Sequence, residues 1–148
     1  MSFRTHRRVE FRDTDAAGIV HFSAFFPWME SAEHEMLRSV GIQILPDSHS
    51  PAQSADSRQT VTWPRVSASC DYHQAARFED ELSVAVEVLK IGRSSVQYQI
   101  AFSRQADSGP PVPIATGKTV VVCCQLRPGG KLEKAEIPAD IRAKLESL

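Results

Sequence analysis

Two carboxylates, Asp13 and Asp15, stand in the run Arg12-Asp13-Thr14-Asp15-Ala16-Ala17-Gly18-Ile19-Val20-His21-Phe22, just upstream of a helix-like pattern. A helix N-terminus presents unpaired N–H groups and about half a positive charge, which suits it to stabilise an oxygen that turns negative in a transition state. A carboxylate held beside such amides could serve as general base or as nucleophile. The same residues also suit a structural task, in which Asp13 and Asp15 form Asx turns that reverse the chain and Gly18 punctuates the turn. Local chemistry leaves both open. Other familiar sites are excluded by inspection: there is no GxGxxG, P-loop, CxxC or GxSxG run, and His34-Glu35 lacks the second histidine of HExxH. His6, His21, His34, His49 and His73 are scattered, so no metal site is expected.

A long helix follows this joint. Ser23 can cap it, and Phe25, Trp28, Met29, Ala32, Met36 and Val40 recur at spacings of three and four until Gly41 stops it. With Phe26 and Leu37 the apolar arc covers about half the circumference, so a sheet must wrap around it. Pro27 falls in the first turn, where a missing N–H costs least. Glu33 lies inside the apolar arc, at about 80° from Phe25, with no partner legible in the sequence.

Period-two alternation then predicts four strands between residues 61 and 126. Val66, Ala68, Cys70 and Tyr72 make one buried face. Leu82, Val84, Val86 and Val88 pair with Val96, Tyr98, Ile100 and Phe102 as a hairpin, whose turn Ile91-Gly92-Arg93-Ser94 lets Gly92 take a positive φ. Thr119 to Leu126 is apolar on both faces, as in a strand covered on both sides. A fifth, less regular strand is expected at Thr5 to Arg12. Pro46 to Gln59 and 107–113 read as loops, and a short helix starts at or just after Pro138. The class is α+β, one domain over 1–148, with a curled antiparallel sheet of about five strands around one central helix.

Composition sets the outer limits. The chain has 148 residues, 42% apolar, enough for one core and too few for two comfortable domains. Its net charge of -1 offers no electrostatic excess for nucleic acid. Ala17 to Met29 is an uncharged, largely apolar stretch, and its 13 residues fall short of a membrane span. MSFRTHRRVEF has no apolar core for a secretory signal, and Cys70, Cys123 and Cys124 are an odd number with a strained adjacent pair, so a reduced, cytoplasmic protein is expected.

DTDAAGIVHFSAFFPWMESA resembles the active-site segment of the 4-hydroxybenzoyl-CoA thioesterase family and its YbgC-like acyl-CoA thioesterase relatives, which are hotdog folds. The match runs without a gap from Asp13 to Ala32 and continues through DYHQAARFEDEL, similar to the family's DY-x-x-PAR-F/Y-GDEL, and through GRSS in the hairpin. The resemblance implies an acyl-CoA thioesterase in which Asp15 attacks the thioester carbonyl or activates water. It implies an oxyanion hole at the backbone N–H of Phe22, with His21 beside it lining the acyl pocket, hydrogen-bonding substrate or simply packing. Asp13 is then structural, because two working carboxylates so close would raise one another's pKa. Glu30 matches a family acid that positions the loop. Gly18 and Phe25 count with the substrate-contacting positions, although Phe25, Phe26 and Trp28 suit core as well as an acyl group. Arg93, Ser95 and Lys131 match cation and hairpin positions that hold coenzyme A phosphates. No cofactor is implied, since coenzyme A is part of the substrate, and relatives are homodimers or homotetramers with shared sites. Ala75 and Glu79 depart from the pattern's Pro and Gly, which bears on pocket shape. The alternative is a hotdog module that binds acyl-CoA or acyl-carrier protein without cleaving it; Asp15 argues against that. The hydratase branch would need a different helix-start pattern, absent here.

Overall fold

The computed structural model describes residues 2–45 and 61–148; the Pro46 to Gln59 stretch, with His49, lies outside the described residues. Strand β1 (Phe3–Arg8) leads through two 3-10 turns (Phe11–Asp13 and Phe22–Ala24) into helix α1 (Phe25–Ser39). There follow β2 (Val61–Thr62), β3 (Arg65–Tyr72), β4 (Glu81–Ile91), β5 (Ser95–Arg104), β6 (Val112–Val122), β7 (Cys124–Arg127), β8 (Lys131–Lys134) and helix α2 (Ala139–Glu146). Five strands form one antiparallel sheet in the order β1-β4-β5-β6-β3, and β2-β7-β8 form a second. A five-stranded antiparallel sheet with one long helix is the hotdog arrangement that the motif resemblance implies.

Alternation decides which side of the sheet meets α1. Leu82, Val84 and Val86 of β4 and Val96, Tyr98, Ile100 and Phe102 of β5 are all buried, and α1 returns Phe25, Met29, Ala32, Met36 and Leu37. Each such side chain contributes about 1.5–3 kcal/mol when fully buried, so this layer is the main source of stability. Helix and sheet approach closely at Gly117, where a Cβ would lie 2.5 Å from Met29 Sδ. The helix ends as Gly41 predicts: its φ is +74°, and the N–H groups of Gly41 and Ile42 return to the carbonyls of Arg38 and Leu37 at 3.0 and 2.9 Å. Helix α2 buries Ile141 and Leu145, and its Lys144 Nζ donates to the Gly41 carbonyl at 3.0 Å.

Several local expectations are corrected. The first strand ends at Arg8 rather than Arg12, because Phe11–Asp13 turns the chain as a 3-10 segment. Ser23 does not cap α1; the 3-10 turn runs straight into the helix, so the cap moves back to its head at His21, whose Nδ1 accepts from the Ser23 N–H at 3.2 Å. Gly92 has no positive φ. It is needed for space, since a Cβ there would meet Ser95 Oγ at 2.7 Å. The single strand expected from Thr119 to Leu126 is split at Cys123, whose N–H turns to the Ser94 carbonyl at 2.7 Å. Upstream, β6 begins at Val112 inside the expected 107–113 loop, with Pro113 tolerated where the β5–β6 register slips.

The face of β3 is also less covered than its alternation suggests. Ala68, Cys70 and Tyr72 lie opposite Thr119, Gly117 and Ala115, on the helix side. Yet β3 is the sheet edge, and a bulge between Arg65 and Ser67 throws Val66 out to 63% exposure. The hairpin β7–β8 was not expected at all, although its turn carries Gly129 and Gly130 at φ of +84° and +77°, a Gly-Gly hairpin signal.

Candidate active site

The segment between β1 and α1 is a hydrogen-bonded loop rather than a loose joint. The Asp15 N–H donates to the Ile19 carbonyl and the Gly18 N–H to the Asp15 carbonyl, both at 3.0 Å, and Gly18 closes the turn at φ +77°. The Val20 N–H reaches the Ala76 carbonyl at 2.8 Å, which docks this loop on the chain that follows β3. Each of the two carboxylates spends one oxygen on a backbone amide. Asp13 Oδ2 accepts the Glu10 N–H at 2.8 Å, so it closes the first 3-10 turn. Asp15 Oδ1 accepts the Ala17 N–H at 2.8 Å, and the second oxygen of each has no hydrogen-bond partner among the described residues.

Of the two, Asp15 has a cleft beside it. A cavity of about 370 Å³ is walled by Asp15, Ile19 and Val20 on the loop, by Phe22 and Phe25 where the helix begins, and by Tyr72 to Ala76 across from them. Phe22 opens the second 3-10 turn, a position where helical bonding leaves the N–H free, and no hydrogen bond among the described residues uses it. Phe25 is buried and packs its ring against Trp28, Tyr72 and Phe102 at centroid distances of 5.2–5.4 Å, so it joins core to cleft. The arrangement sets a carboxylate with one spare oxygen and a spare backbone donor on one mostly apolar depression. Such a pair can attack, or activate water against, a carbonyl whose oxygen is received by the amide.

Other anticipated residues fall elsewhere. His21 heads the 3-10 turn with Nδ1 2.6 Å from Ser23 Oγ and its ring tilted on Phe22, and it does not line the cleft. Gly18 shapes the turn from its apex without bordering the cavity. Arg93 and Ser95 sit at the far end of the sheet, where Arg93 Nη2 lies 3.6 Å from Glu136 Oε2. Ser95 pairs with Val122 and Tyr72 with Ala115, a separation along β6 of roughly 23 Å. Lys131 is exposed at the start of β8, in the second sheet. Within one protomer, then, these three are not brought to the cleft by the strands that carry them. Glu30 stands 3.6 Å from Arg65, which also reaches the buried Glu33 at 2.6 Å; Thr119 Oγ1 is 3.5 Å from the same Glu33 oxygen. Glu33 thus finds its partners on β3 and β6.

Tyr72 is the cleft residue that the reading of residue types left out. Its hydroxyl donates to the Phe22 carbonyl at 2.9 Å. Burial, and then the neighbouring Cys70 thiol, push the hydroxyl above its ordinary range, so it stays a donor at neutral pH. The nearby His73 Nε2 lies 2.9 Å from Thr116 Oγ1, which holds the start of the 73–76 wall. Among the described residues, no three His, Cys, Asp or Glu side chains converge as metal ligands, and no helix is long and apolar enough to cross a membrane.

A family model described as the thioesterase-like superfamily matches residues 9–145. A 1,4-dihydroxy-2-naphthoyl-CoA hydrolase of Synechococcus elongatus is 26% identical over 125 residues, 83% of this chain and 82% of that protein. One from Prochlorococcus marinus is 31% identical over 101 residues, and this match spans 68% of the chain and 64% of the relative's length. A crystal structure of a 4-hydroxybenzoyl-CoA thioesterase variant complexed with 4-hydroxybenzoyl-CoA aligns over 97% of this chain and 98% of its own, with a TM-score of 0.82 at 21% identity, which shows a shared fold.

Proposed function

The chain belongs to the thioesterase-like superfamily and is a thioester hydrolase; on that premise we propose that it cleaves acyl- or aroyl-coenzyme A, with Asp15 as nucleophile or general base and the Phe22 N–H as oxyanion donor. One observation carries this reading: Asp15 and Phe22 border the same cleft, the first with a spare carboxylate oxygen and the second with a spare amide. Two routes balance. In one, Asp15 takes a proton from water, the hydroxide adds to the carbonyl carbon, the C–S bond breaks to release the thiolate and the carboxylic acid, and Asp15 passes its proton to the thiolate. In the other, a carboxylate oxygen adds, thiolate leaves, and water then hydrolyses the mixed anhydride to return Asp15. Both build negative charge on the carbonyl oxygen, where an amide donor is worth about 3–4 kcal/mol of barrier. No cofactor enters either route, because coenzyme A arrives with the substrate.

A homodimer or homotetramer completes the proposal. Strand β3 is an edge whose outer side pairs with no strand among the described residues and which exposes Val66 and Tyr72. Arg93, Ser95 and Lys131 would serve the phosphates of coenzyme A at this cleft from a neighbouring copy. The three cysteines are free thiols, in keeping with a reducing, cytoplasmic setting. The reading is tested by following thiol release from acetyl-, octanoyl-, palmitoyl- and benzoyl-coenzyme A. Turnover of at least one with kcat/KM of about 10⁴ M⁻¹s⁻¹ or more is expected. Binding by calorimetry without thiol release from any of them would instead favour a non-catalytic acyl-CoA module.

A further inference from the structure

We propose that Tyr72 is a positioning residue for the oxyanion donor: its hydroxyl, bonded to the Phe22 carbonyl, fixes the direction in which the Phe22 N–H points into the cleft. This inference rests on the Phe22 role proposed above. The Phe22 side chain is 63% exposed and cannot anchor its own backbone. The turn it opens is short, and a 3-10 segment of three residues has weak internal bonding. Besides the backbone bonds of the turn and its lead-in, Ala24 N–H to the His21 carbonyl at 3.0 Å and His21 N–H to the Asp13 carbonyl at 2.8 Å, two side-chain bonds hold its backbone. Upstream, His21 Nδ1 accepts the Ser23 N–H at 3.2 Å, a bond local to the turn. Across the cleft, Tyr72 donates at 2.9 Å from the end of β3, fifty positions away in sequence.

The Tyr72 bond is thus the side-chain hydrogen bond that ties the donor turn to the rigid sheet. Its ring is in turn held against Phe25 at 5.4 Å, and Phe25 against Phe102 of β5 at 5.2 Å, so the hydroxyl is placed by packed aromatic groups rather than by a free side chain. An oxyanion donor works because its direction is set before the charge develops, and a turn free to rotate would lose part of that advantage. Tyr72 touches the carbonyl side of residue 22 and leaves the N–H free for substrate.

The test is a double-mutant cycle on the full-length protein. Tyr72→Phe keeps the ring and removes only the hydroxyl; Phe22→Pro removes the amide hydrogen. Expected for Tyr72→Phe alone is a fall in kcat of up to about tenfold, with KM within about twofold and an unchanged melting temperature, the scale of one lost hydrogen bond. In the Phe22→Pro background the same change is expected to cost nothing further, because the group it orients is gone. Equal losses from Tyr72→Phe in both backgrounds, or a loss of thermal stability with kcat intact, would overturn the inference while leaving the Phe22 role standing. A full-rate Phe22→Pro enzyme would remove that role, and the Tyr72 inference with it.

Discussion

Asp13 and Asp15 carry the same functional group two positions apart, and each gives one oxygen to a backbone amide, Asp13 Oδ2 to Glu10 and Asp15 Oδ1 to Ala17. What divides them is place: of the two, Asp15 borders the cleft. This difference was only partly legible in the residues, since both fit Asx turns; the resemblance around them singled out Asp15. Phe22 offers a sharper test at this scale, because it combines a dispensable side chain with the amide assigned to the oxyanion. Proline suits the first position of a helical turn, and His21 ahead of it already has the extended backbone, φ -65° and ψ 139°, that precedes proline comfortably. Phe22→Ala is expected to keep kcat within about threefold, and Phe22→Pro to lose about a hundred- to a thousand-fold, read as thiol release at saturating substrate. Tyr72 escaped the sequence because its partner lies fifty residues upstream and no local period reports such a bond.

At the scale of elements, helical periodicity flagged Glu33 as a charge within an apolar arc but could not name what neutralises it. The answer is Arg65, at the first residue of an edge strand and beside a bulge, with its guanidinium 2.6 Å from a carboxylate only 2% exposed. Removing one partner of such a pair strands the other, so Arg65→Ala is expected to cost about 3 kcal/mol in urea unfolding, whereas Glu33→Met with Arg65→Met should lie close to the parent. Equal stability of Arg65→Ala and the parent would show that water already serves Glu33. The turn before β4 carries a second readable conflict. Glu79 stands at the glycine of the pattern that DYHQAARFEDEL resembles, and it adopts φ +70°, while its N–H donates to the Val9 carbonyl at 2.9 Å. The backbone keeps a glycine conformation without the glycine. Glu79→Gly is therefore expected to raise stability by about 1 kcal/mol in the same experiment, and a loss would mean that the glutamate side chain supports the turn. The β4–β5 hairpin and the end of α1 were legible because their signals are local. The split at Cys123 was not, since an unbroken apolar run says nothing about which of two sheets each half joins.

For the whole molecule, alternation and one wide helix face were enough to specify a sheet carrying a central helix, because both periods report the same core. What a single chain does not settle is its own boundary. Among the described residues the main sheet is open along β3, Ser95 beside the Arg93 turn lies roughly 23 Å along the sheet from the cleft, and Lys131 is in the second sheet. These features are resolved if copies associate. Sedimentation at micromolar concentration is expected to give the mass of a dimer or tetramer, and charge reversal at Arg93 or Lys131 to raise KM for coenzyme A thioesters with little change in kcat. A monomer of full activity would contradict the shared-site arrangement. The whole reading converges on one carboxylate, and the most direct measurement is the rate of coenzyme A release by Asp15→Asn on the thioester that the parent enzyme hydrolyses fastest. A fall in kcat of about a hundred- to ten-thousand-fold with an unchanged melting temperature is expected; turnover equal to the parent would contradict Asp15 as the group that drives hydrolysis.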